Sequence, residues 1–450
     1  MLHKVVVRRV LPLIGALVLL GVVQAGSVFA GRSVWTSNGP ERRTIKSLAI
    51  DSMTSTIPYA VTESGGVFGI PRLRRIYLPL VSRTLTRPEL YVLRGPDLRI
   101  ARAGHTATRL ADGRILLVGG TQAPDVFLAD VDIFDPVTGS TSQAAPLHKA
   151  RTGHSATLLP NGRVLVIGGY SLPWGWIDDA EVYDPVAATW TVVSPLYSHG
   201  LTHTATLMRD GRVLVAGGNI GSSVFTERAE IFDPQTNSWT EAQALAGARA
   251  NHIAQLLDDG RVLVAGGQSD PSGLVGGDAV LYDPQANIWT ATGPMVKPRI
   301  WAQSVQLSDG RILVAGGMAL DDMPTNTFTA SVEIYDPASN AWSTAPSLSQ
   351  PRYAYSLELL LNGQVLAVGG ARDWECCWNI DSFVHAIEVY DPAANEWRWV
   401  ANLPQPRAYP AVTRLSDGRI WLSGGRTDST FLSDSWWLID AQTATRLGLH

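Results

Sequence analysis

The sequence has few cysteines, few charged residues and only one long apolar run, and each shortage excludes a class of protein. Two cysteines in 450 residues exclude a disulfide framework, and a chain of this length can take its stability from a hydrophobic core instead. Only 17% of the residues are charged and the formal net charge is -4. The chain therefore lacks the basic surface that binds nucleic acid, and we expect no nucleic-acid partner.

Residues 1–30 differ in composition from the rest of the chain. Lys4, Arg8 and Arg9 precede the apolar run 10–23, and Val28-Phe29-Ala30 supplies small residues for cleavage. This order is typical of a secretory signal peptide, and the run is short for a spanning helix. We expect cleavage, a secreted protein and no membrane contact afterwards. An uncleaved anchor, which would hold the protein at the cell envelope, is the alternative.

Residues 31–89 form a separate N-terminal segment. The stretch 35–70, WTSNGPERRTIKSLAIDSMTSTIPYAVTESGGVFGI, resembles one repeat of the sialidase- or sortilin-like propellers, and the continuation of such a propeller is missing. Residues 71–89 read as a basic linker around a short apolar stretch. This segment therefore supplies no catalytic motif.

A repeat of about 50 residues organises the remainder of the chain. Its plainest mark is a glycine pair that recurs at intervals of 49 to 55 residues: Gly119-Gly120, Gly168-Gly169, Gly217-Gly218, Gly266-Gly267, Gly316-Gly317, Gly369-Gly370 and Gly424-Gly425. Such a period indicates supersecondary units that bury their apolar faces only against each other.

Each unit contains signals for four short strands. An Asp-Gly or Asn-Gly pair such as Asn161-Gly162 predicts a two-residue type I′ hairpin, and the apolar run after it predicts a strand buried on both faces. A third strand stops at Asp-Pro, as at Asp184-Pro185. Six residues after that Asp, five units carry a tryptophan large enough to wedge between sheets: Trp190, Trp239, Trp289, Trp342 and Trp397.

Seven such units predict an all-β fold, a seven-bladed β-propeller of four-stranded antiparallel blades over residues 90–450. The pattern R-x-x-H-x-A-x-x-L…DGRVLVAGG…AEIYDP-x-x-x-x-W resembles the kelch repeat and, in its secreted bacterial form, the propeller of galactose oxidase-like proteins. Counting by the repeat places Val92 in the tryptophan position and Leu98 in the position where the other units have Leu or Met. We therefore expect residues 90–98 to close the ring as an N-terminal strand. The rival closing strand is Thr445–Leu449.

Length variation is confined to the loop between the second and third strands. From the second Gly of the pair to the Asp this span is 15, 15, 15, 16, 19, 21 and 15 residues, whereas the span from the Asp to the next glycine pair is always 33. Insertions of this kind mark the binding face of repeat proteins. The candidate ligand-binding residues on these loops are Trp174, Trp176, Asp178, Asp321, Asp322, Arg372, Asp373, Trp374 and Trp378. They suit a sugar or a peptide, unless the rings pack on neighbouring loops.

Two repeated polar positions leave alternatives open. His105, His154, His203 and His252 share one position of the innermost strand, where they form either a metal ring or a structural element. An arginine stands seventeen residues before each glycine pair except the third. These arginines either face an acidic partner or hold the blade together.

The adjacent Cys376 and Cys377 are either a vicinal disulfide or two thiols.

The motifs of an enzyme are missing from the sequence. The resemblance implies that a copper radical oxidase needs a cysteine-crosslinked tyrosine, a tyrosine followed directly by histidine, and a further histidine; this sequence has no Tyr-His pair. Other catalytic motifs are absent as well. We therefore expect a monomeric, non-enzymatic module without a cofactor that binds a protein or glycan. An extracellular oxidase-like or carbohydrate-active enzyme is the alternative.

Overall fold

The structure is a computed structural model, and it describes residues 45–50, 58–62, 67–69 and 89–449, apart from 194–196, 198, 223, 270–276, 320–326, 374–381 and 429. The chain divides into two compact units, Met1–Thr86 and Arg87–His450. The predicted signal peptide, most of the linker, Cys376 and Cys377 lie outside the described residues.

The first unit contains a small antiparallel sheet. Its strands follow chain order, β1 Ile45–Ile50, β2 Pro58–Thr62 and β3 Val67–Gly69. The sheet lies within the stretch that resembles a single propeller repeat.

The second unit is a ring of seven four-stranded antiparallel sheets, and it confirms the predicted propeller. Blade I consists of β5 Thr106–Arg109, β6 Ile115–Val118, β9 Val131–Asp135 and β10 Ser140–Gln143, with the hairpin β7 Thr121–Ala123 and β8 Val126–Phe127. Blade II consists of β11 Ser155–Leu158, β12 Val164–Ile167, β15 Ala180–Asp184 and β16 Thr189–Val193, with the hairpin β13 Tyr170–Ser171 and β14 Gly175–Trp176. Blade III consists of β17 Thr204–Leu207, β18 Val213–Ala216, β21 Ala229–Asp233 and β22 Ser238–Ala242, with the hairpin β19 Asn219–Gly221 and β20 Val224–Phe225.

The next three blades repeat this order from the axis outward. Blade IV consists of β23 Ile253–Leu256, β24 Val262–Ala265, β25 Ala279–Asp283 and β26 Ile288–Ala291. Blade V consists of β28 Gln303–Gln306, β29 Ile312–Ala315, β32 Val332–Asp336 and β33 Ala341–Ala345, with a small sheet of β27 Arg299–Ile300, β30 Met318–Ala319 and β31 Thr327–Phe328. Blade VI consists of β34 Ser356–Leu359, β35 Val365–Val368, β36 Ala386–Asp391 and β37 Glu396–Asn402.

Blade VII joins the two ends of the ring, as the sequence predicts. It consists of β38 Ala411–Arg414, β39 Ile420–Ser423, β40 Ser435–Asp440 and the N-terminal strand β4 Leu90–Arg94. The rival closing strand is wrong, because a short helix, α1 Ala441–Arg446, follows β40 and Asp440 caps it by accepting from two backbone N–H groups.

Two local expectations are corrected. The tryptophan position of blade VII is held by Tyr91 and not Val92, since Tyr91 pairs with Ile439 as Trp190 pairs with Tyr183. The turns between first and second strands are not type I′. In these turns only the glycine has a positive φ, as at Gly113 with 90°. The Gly113 N–H donates to the Leu110 carbonyl and closes a four-residue turn that ends at this glycine. The geometry is that of a type I turn with a glycine bulge.

The core lies between neighbouring blades. All four residues of each second strand are buried, and Val164 and Val166 of blade II pack against Leu116 and Val118 of blade I. Trp190 closes the outer end of this seam, where its Nε1 donates to the Ala145 carbonyl at 2.8 Å. Across the described ranges, no helix is long and apolar enough to cross a bilayer.

Candidate functional site

One end of the propeller carries both the variable loops and the connections between blades, and we call it the loop face. Backbone bridges join each connection to the loop of the blade it enters: Ala103–Thr121, Thr152–Tyr170, Ala250–Gln268, Tyr353–Ala371 and Ala408–Arg426. The variable loops and the interblade connections therefore share a surface, as expected from the alternating strand directions.

In blades I, II, V, VI and VII a buried arginine holds the connection to its own blade. In blade II, Arg151 donates through Nη1 to the Gly168 carbonyl at 3.0 Å and through Nη2 to Glu181 at 2.6 Å, and both side chains are fully buried. The same ion pair recurs as Arg102–Asp132, Arg299–Glu333 and Arg352–Glu388. In blade VII, Arg407 pairs instead with Asp434, which directly precedes the third strand. These arginines are structural clamps and do not face an acidic partner.

Blades III and IV depart from this pattern. Gly200 stands at the arginine position of blade III, and His199 replaces the clamp: its Nδ1 donates to the Gly217 carbonyl at 2.8 Å, and its Nε2 lies 3.5 Å from Glu230. Burial raises the pKa of Glu230. In blade IV, Arg249 is 5% exposed, yet Val280 occupies the position of the carboxylate, and the guanidinium donates to the Asp278 carbonyl at 3.4 Å.

The four repeated histidines bind one blade to the next. Each is buried, and each Nε2 meets a hydroxyl on the innermost or second strand of the preceding blade, at 2.8 to 3.1 Å. The pairs are His105–Ser423, His154–Thr106, His203–Ser155 and His252–Thr204. In blade VI, Tyr355 serves the same purpose by donating to the Ala315 carbonyl at 2.7 Å. The structural interpretation of these histidines therefore fits the geometry.

Burial keeps these imidazoles neutral. Burial lowers the pKa of His154, His203 and His252 to about 3. Electrostatic interactions with Arg151, His199 and Arg249, respectively, lower these pKa values further. The pKa of His105 is likewise well below its ordinary value because of burial. A neutral ring suits a hydrogen bond with a hydroxyl, which both donates and accepts.

A hydrogen-bonded belt surrounds the propeller axis at the loop face. Its seven residues occupy one repeat position, each with φ between 52° and 66°: Gly104, Gly153, Thr202, Asn251, Trp301, Ala354 and Tyr409. Backbone N–H groups donate to the preceding belt residue at Asn251→Thr202, Trp301→Asn251, Tyr409→Ala354 and Gly104→Tyr409, over 2.8 to 3.2 Å. Five non-glycine residues in this unfavourable region indicate that the ring imposes the conformation.

An aromatic row on the loop face joins the loops of blades I and II. Phe127, Tyr170 and Trp176 meet edge to face, with ring centroids 5.6 Å apart at each contact. Trp176 is half-buried and its Cδ1 lies 3.1 Å from where a Cβ of Gly200 would stand, so this ring packs on the neighbouring connection. Trp174, at the tip of the same hairpin, is 60% exposed, and the Lys149 ammonium lies 5.3 Å from its ring centroid.

The other predicted ligand residues fall at separate places. Asp178 is exposed beside the blade II hairpin. Arg372 and Asp373 lie on the loop of blade VI, half-exposed and 3.8 Å apart, so the structure does not bring them together with Trp174. Asp321, Asp322, Trp374 and Trp378 lie outside the described residues.

The donor groups of the propeller do not assemble a metal site. Among the residues that the structure describes, no group of three or more His, Cys, Asp or Glu side chains is placed to hold an ion. Tyr409 is the tyrosine of the belt, and the next residue is Pro410, whose ring nitrogen belongs to the backbone and cannot ligate. These residues do not fit the copper site that the galactose oxidase-like resemblance implies.

Sequence reasoning missed the belt, the aromatic partners Phe127 and Tyr170, and a cavity on blade VI that is described below. The belt has no residue signature, since its members range from glycine to tryptophan. Phe127 and Tyr170 stand in loops of unchanged length, so no insertion marks them in the sequence.

Comparisons with known proteins identify the repeat. The Kelch motif is matched by residues 151–197, 201–245 and 303–349. Alpha-scruin of Limulus polyphemus is 33% identical over 102 residues, which is 23% of this chain and 10% of the relative. The human Kelch repeat and BTB domain-containing protein 13 is 39% identical over 74 residues, 16% of this chain and 14% of the relative. The chain thus spans only about a tenth to a seventh of these relatives.

Oxidases are also among the similar proteins. A galactose oxidase of Gibberella zeae is 28% identical over 104 residues, covering 22% of this chain and 14% of that protein. A solved fungal alcohol oxidase of the AA5 family, in complex with copper, superposes with a TM-score of 0.61 at 19% identity, over 78% of this chain and 77% of that one. This likeness concerns the fold. The chain therefore carries kelch motifs within a seven-bladed β-propeller, and its fold is similar to that of the copper-bound alcohol oxidase.

Proposed function

We propose that this protein is a secreted, non-enzymatic binding module that recognises a protein or glycan through its loop face. The observation that carries the proposal is the exposed Trp174 beside Lys149, at the tip of the blade II hairpin that also carries Tyr170 and Trp176 of the aromatic row. A rigid row of rings supplies contact area at small cost in side-chain entropy, and an exposed indole is a stacking platform for a sugar or a hot spot for a protein.

The architecture supports the same conclusion. The belt and the arginine clamps fix the loop face on a rigid ring, which is the arrangement that binding loops need. Kelch repeat proteins mostly serve protein interactions, and secretion is proposed from the order of charged, apolar and small residues in 1–30.

A binding comparison tests the proposal. Proteins and glycans captured from the culture medium or spotted on a glycan array are compared for the wild type and Trp174→Ala. We expect at least a tenfold loss of affinity for the true ligand, because a hot-spot tryptophan contributes about 2 kcal/mol or more and about 1.4 kcal/mol is a tenfold change. Val186→Ala is the matched control, since this nearly fully exposed residue lies in a blade II turn at the other end of the propeller.

Equal loss in both variants, or no loss in either, would place binding elsewhere and contradict the proposal. The double variant Trp374→Ala, Trp378→Ala extends the test to the longest loop, which the sequence selects for its insertion.

An oxidase is the second candidate, favoured by the copper-bound structural neighbour and the galactose oxidase match. The absence of a Tyr-His pair and the Tyr409-Pro410 sequence argue against it. Stoichiometric copper in the purified protein together with alcohol oxidation would replace the binding proposal with this one.

A further inference from the structure

A cavity of about 360 Å³ opens at the outer rim of the loop face on blade VI. It is lined by Gln350, Arg372, Phe383, His385, Ala386 and Asn402. Two amides, an imidazole and a guanidinium converge on it, beside one buried aromatic ring. Pockets of this size with a few converging polar groups are typical of small-ligand sites.

Blade VI differs from blades I and II at the position of Ala386, which lines the cavity. The residue that begins or immediately precedes the third strand is an aspartate in blades I and II, where Asp130 pairs with Arg99 at 2.8 Å and Asp179 with Lys149 at 2.6 Å. In blade VI the same place holds the methyl group of Ala386, with Gln350 on the preceding connection, so these two positions form no ion pair beside the cavity.

The charge of the cavity is positive. Arg372 supplies a guanidinium that is half-exposed and approaches the carboxylate of Asp373 only to 3.8 Å. Among the described residues, no acidic side chain lines the cavity. His385 donates from Nδ1 to the Leu403 carbonyl at 3.4 Å, which leaves Nε2 for a ligand. A guanidinium with no acid inside the cavity selects a carboxylate.

An exposed tryptophan stands next to the cavity. Trp399 is 63% exposed, and its Nε1 donates at 3.0 Å to the Oδ1 of Asn402, which lines the cavity. The outer strand β37 shifts register between Ile387 and Glu388 of its partner strand, so that Trp399 pairs with Glu388 and Ala401 with Ile387. Bulges of this kind re-aim side chains near binding sites. A flat ring beside amide groups suits the face and hydroxyls of a sugar.

We propose that this cavity binds an anionic sugar residue, a uronate, with its carboxylate on Arg372, its hydroxyls on Gln350, His385 and Asn402, and its ring against Trp399. The proposal rests on the proposed binding function and names a ligand class for one part of the loop face. It concerns blade VI, and its test is independent of Trp174 in blade II.

Ligand-observed NMR titration with methyl glucuronoside, and with methyl glucoside as its neutral counterpart, tests the proposal on the full chain. We expect saturable binding of the glucuronoside at least tenfold tighter than that of the glucoside. Arg372→Gln should weaken it at least tenfold and Trp399→Ala severalfold. Ala386→Asp, which returns the aspartate of blades I and II, should abolish it.

Matched controls separate this cavity from a general effect of added charge. Ala393→Asp adds the same charge at an exposed turn of blade VI on the opposite face and should leave binding unchanged, as should Trp174→Ala. Binding lost equally in Ala393→Asp and Ala386→Asp overturns the proposal. Absence of glucuronoside binding in the wild type overturns it as well. Acetate or N-acetylglutamate amide that binds as tightly as the glucuronoside, with no effect of Trp399→Ala, also overturns it, because the cavity would then be a plain carboxylate site or a peptide site.

Discussion

At the scale of single residues, a buried group in each blade decides how firmly the loop face is held. In blade II, Arg151 joins a backbone carbonyl and Glu181 inside the protein, where charge-assisted hydrogen bonds are strong. His203, which directly precedes the innermost strand of blade III, joins blade III to blade II through Ser155. Burial lowers the pKa of His203 and keeps its imidazole neutral, so this contact depends on pH.

The neutral histidines predict loss of stability in acid. Burial lowers the pKa of His203 to about 3, below its unfolded value near 6.5, so the unfolded chain takes up the proton first. The stabilising contribution is present above pH 6.5 and is lost as the pH falls toward 3, by up to about 1.4 kcal/mol per pH unit for each histidine. His203→Gln keeps a hydrogen-bonding side chain and does not titrate. Urea unfolding between pH 7 and 4 should therefore show a smaller decline for the variant.

Other titrating groups cancel in that comparison. Glu358, for example, has the opposite sign, because burial raises its pKa to about 7 and its contribution is lost as the pH rises through 7. It is present in both proteins. His385→Gln, at an exposed histidine, is the control and should follow the wild type; parallel curves for His203→Gln and the wild type would refute the assignment of a neutral, buried His203.

At the scale of elements, the third strand of blade IV lacks the carboxylate that the third strands of blades I, II, III, V and VI supply. Val280 pairs with Val264 in the register in which Glu181 pairs with Val166 and Glu333 with Val314. Among the described residues, Arg249 is thereby buried without an acidic side chain within ion-pair distance, which is costly for a charged group.

Val280→Glu should restore the clamp. The new carboxylate stands where Glu181 meets Arg151, and we expect a gain of about 1–3 kcal/mol in the free energy of unfolding, the usual size for a hydrogen bond to a charged group. The urea midpoint at pH 7.5 measures it. Val280→Gln, which has nearly the same shape and no charge, should gain less. A destabilised Val280→Glu with Val280→Gln unaffected would mean that the pocket around Arg249 does not accept the pair.

The strands were largely predictable from the sequence, because the apolar run, the Asp-Pro stop and the tryptophan recur at fixed offsets. The turns were predicted with the wrong type, since an Asp-Gly pair serves both in a type I′ turn and in a type I turn with a glycine bulge. Val92 was misplaced because the connection between β4 and Leu98 differs in length from the other blades by one residue. A count along the chain cannot register such a shift.

The face that carries the insertions was predictable from the sequence, whereas the arrangement of side chains on it was not. Whether Arg151 faces solvent or a buried glutamate depends on packing between strands far apart in sequence. The blade VI cavity is lined by Ala386 where blades I and II have an aspartate, and Trp399 lies on a strand with a register shift. Neither is marked by an unusual motif, so only the three-dimensional arrangement discloses them.

At the scale of the whole molecule, the ring depends on one strand from the other end of the unit. Leu90 to Arg94 pair in unbroken register with Asp440 to Trp436, and Leu90 is buried with Leu438 and Ile420 between blades VI and VII. A propeller closed in this way gains cooperativity from joining its termini, because the strand removes an open sheet edge and completes an interblade core.

Truncation tests this closure. A chain that begins at residue 87 keeps β4, and we expect it to unfold in a single urea transition. A chain that begins at residue 99 loses β4 and Leu98, which leaves Leu438 and its neighbours uncovered, and we expect it to lose several kcal/mol or fail to fold. Leu90→Ala in the longer chain is the graded version, with an expected cost of about 2–5 kcal/mol for a buried leucine. Equal stability of the two truncated chains would show that blade VII holds with three strands, and that the belt and clamps alone keep the ring shut.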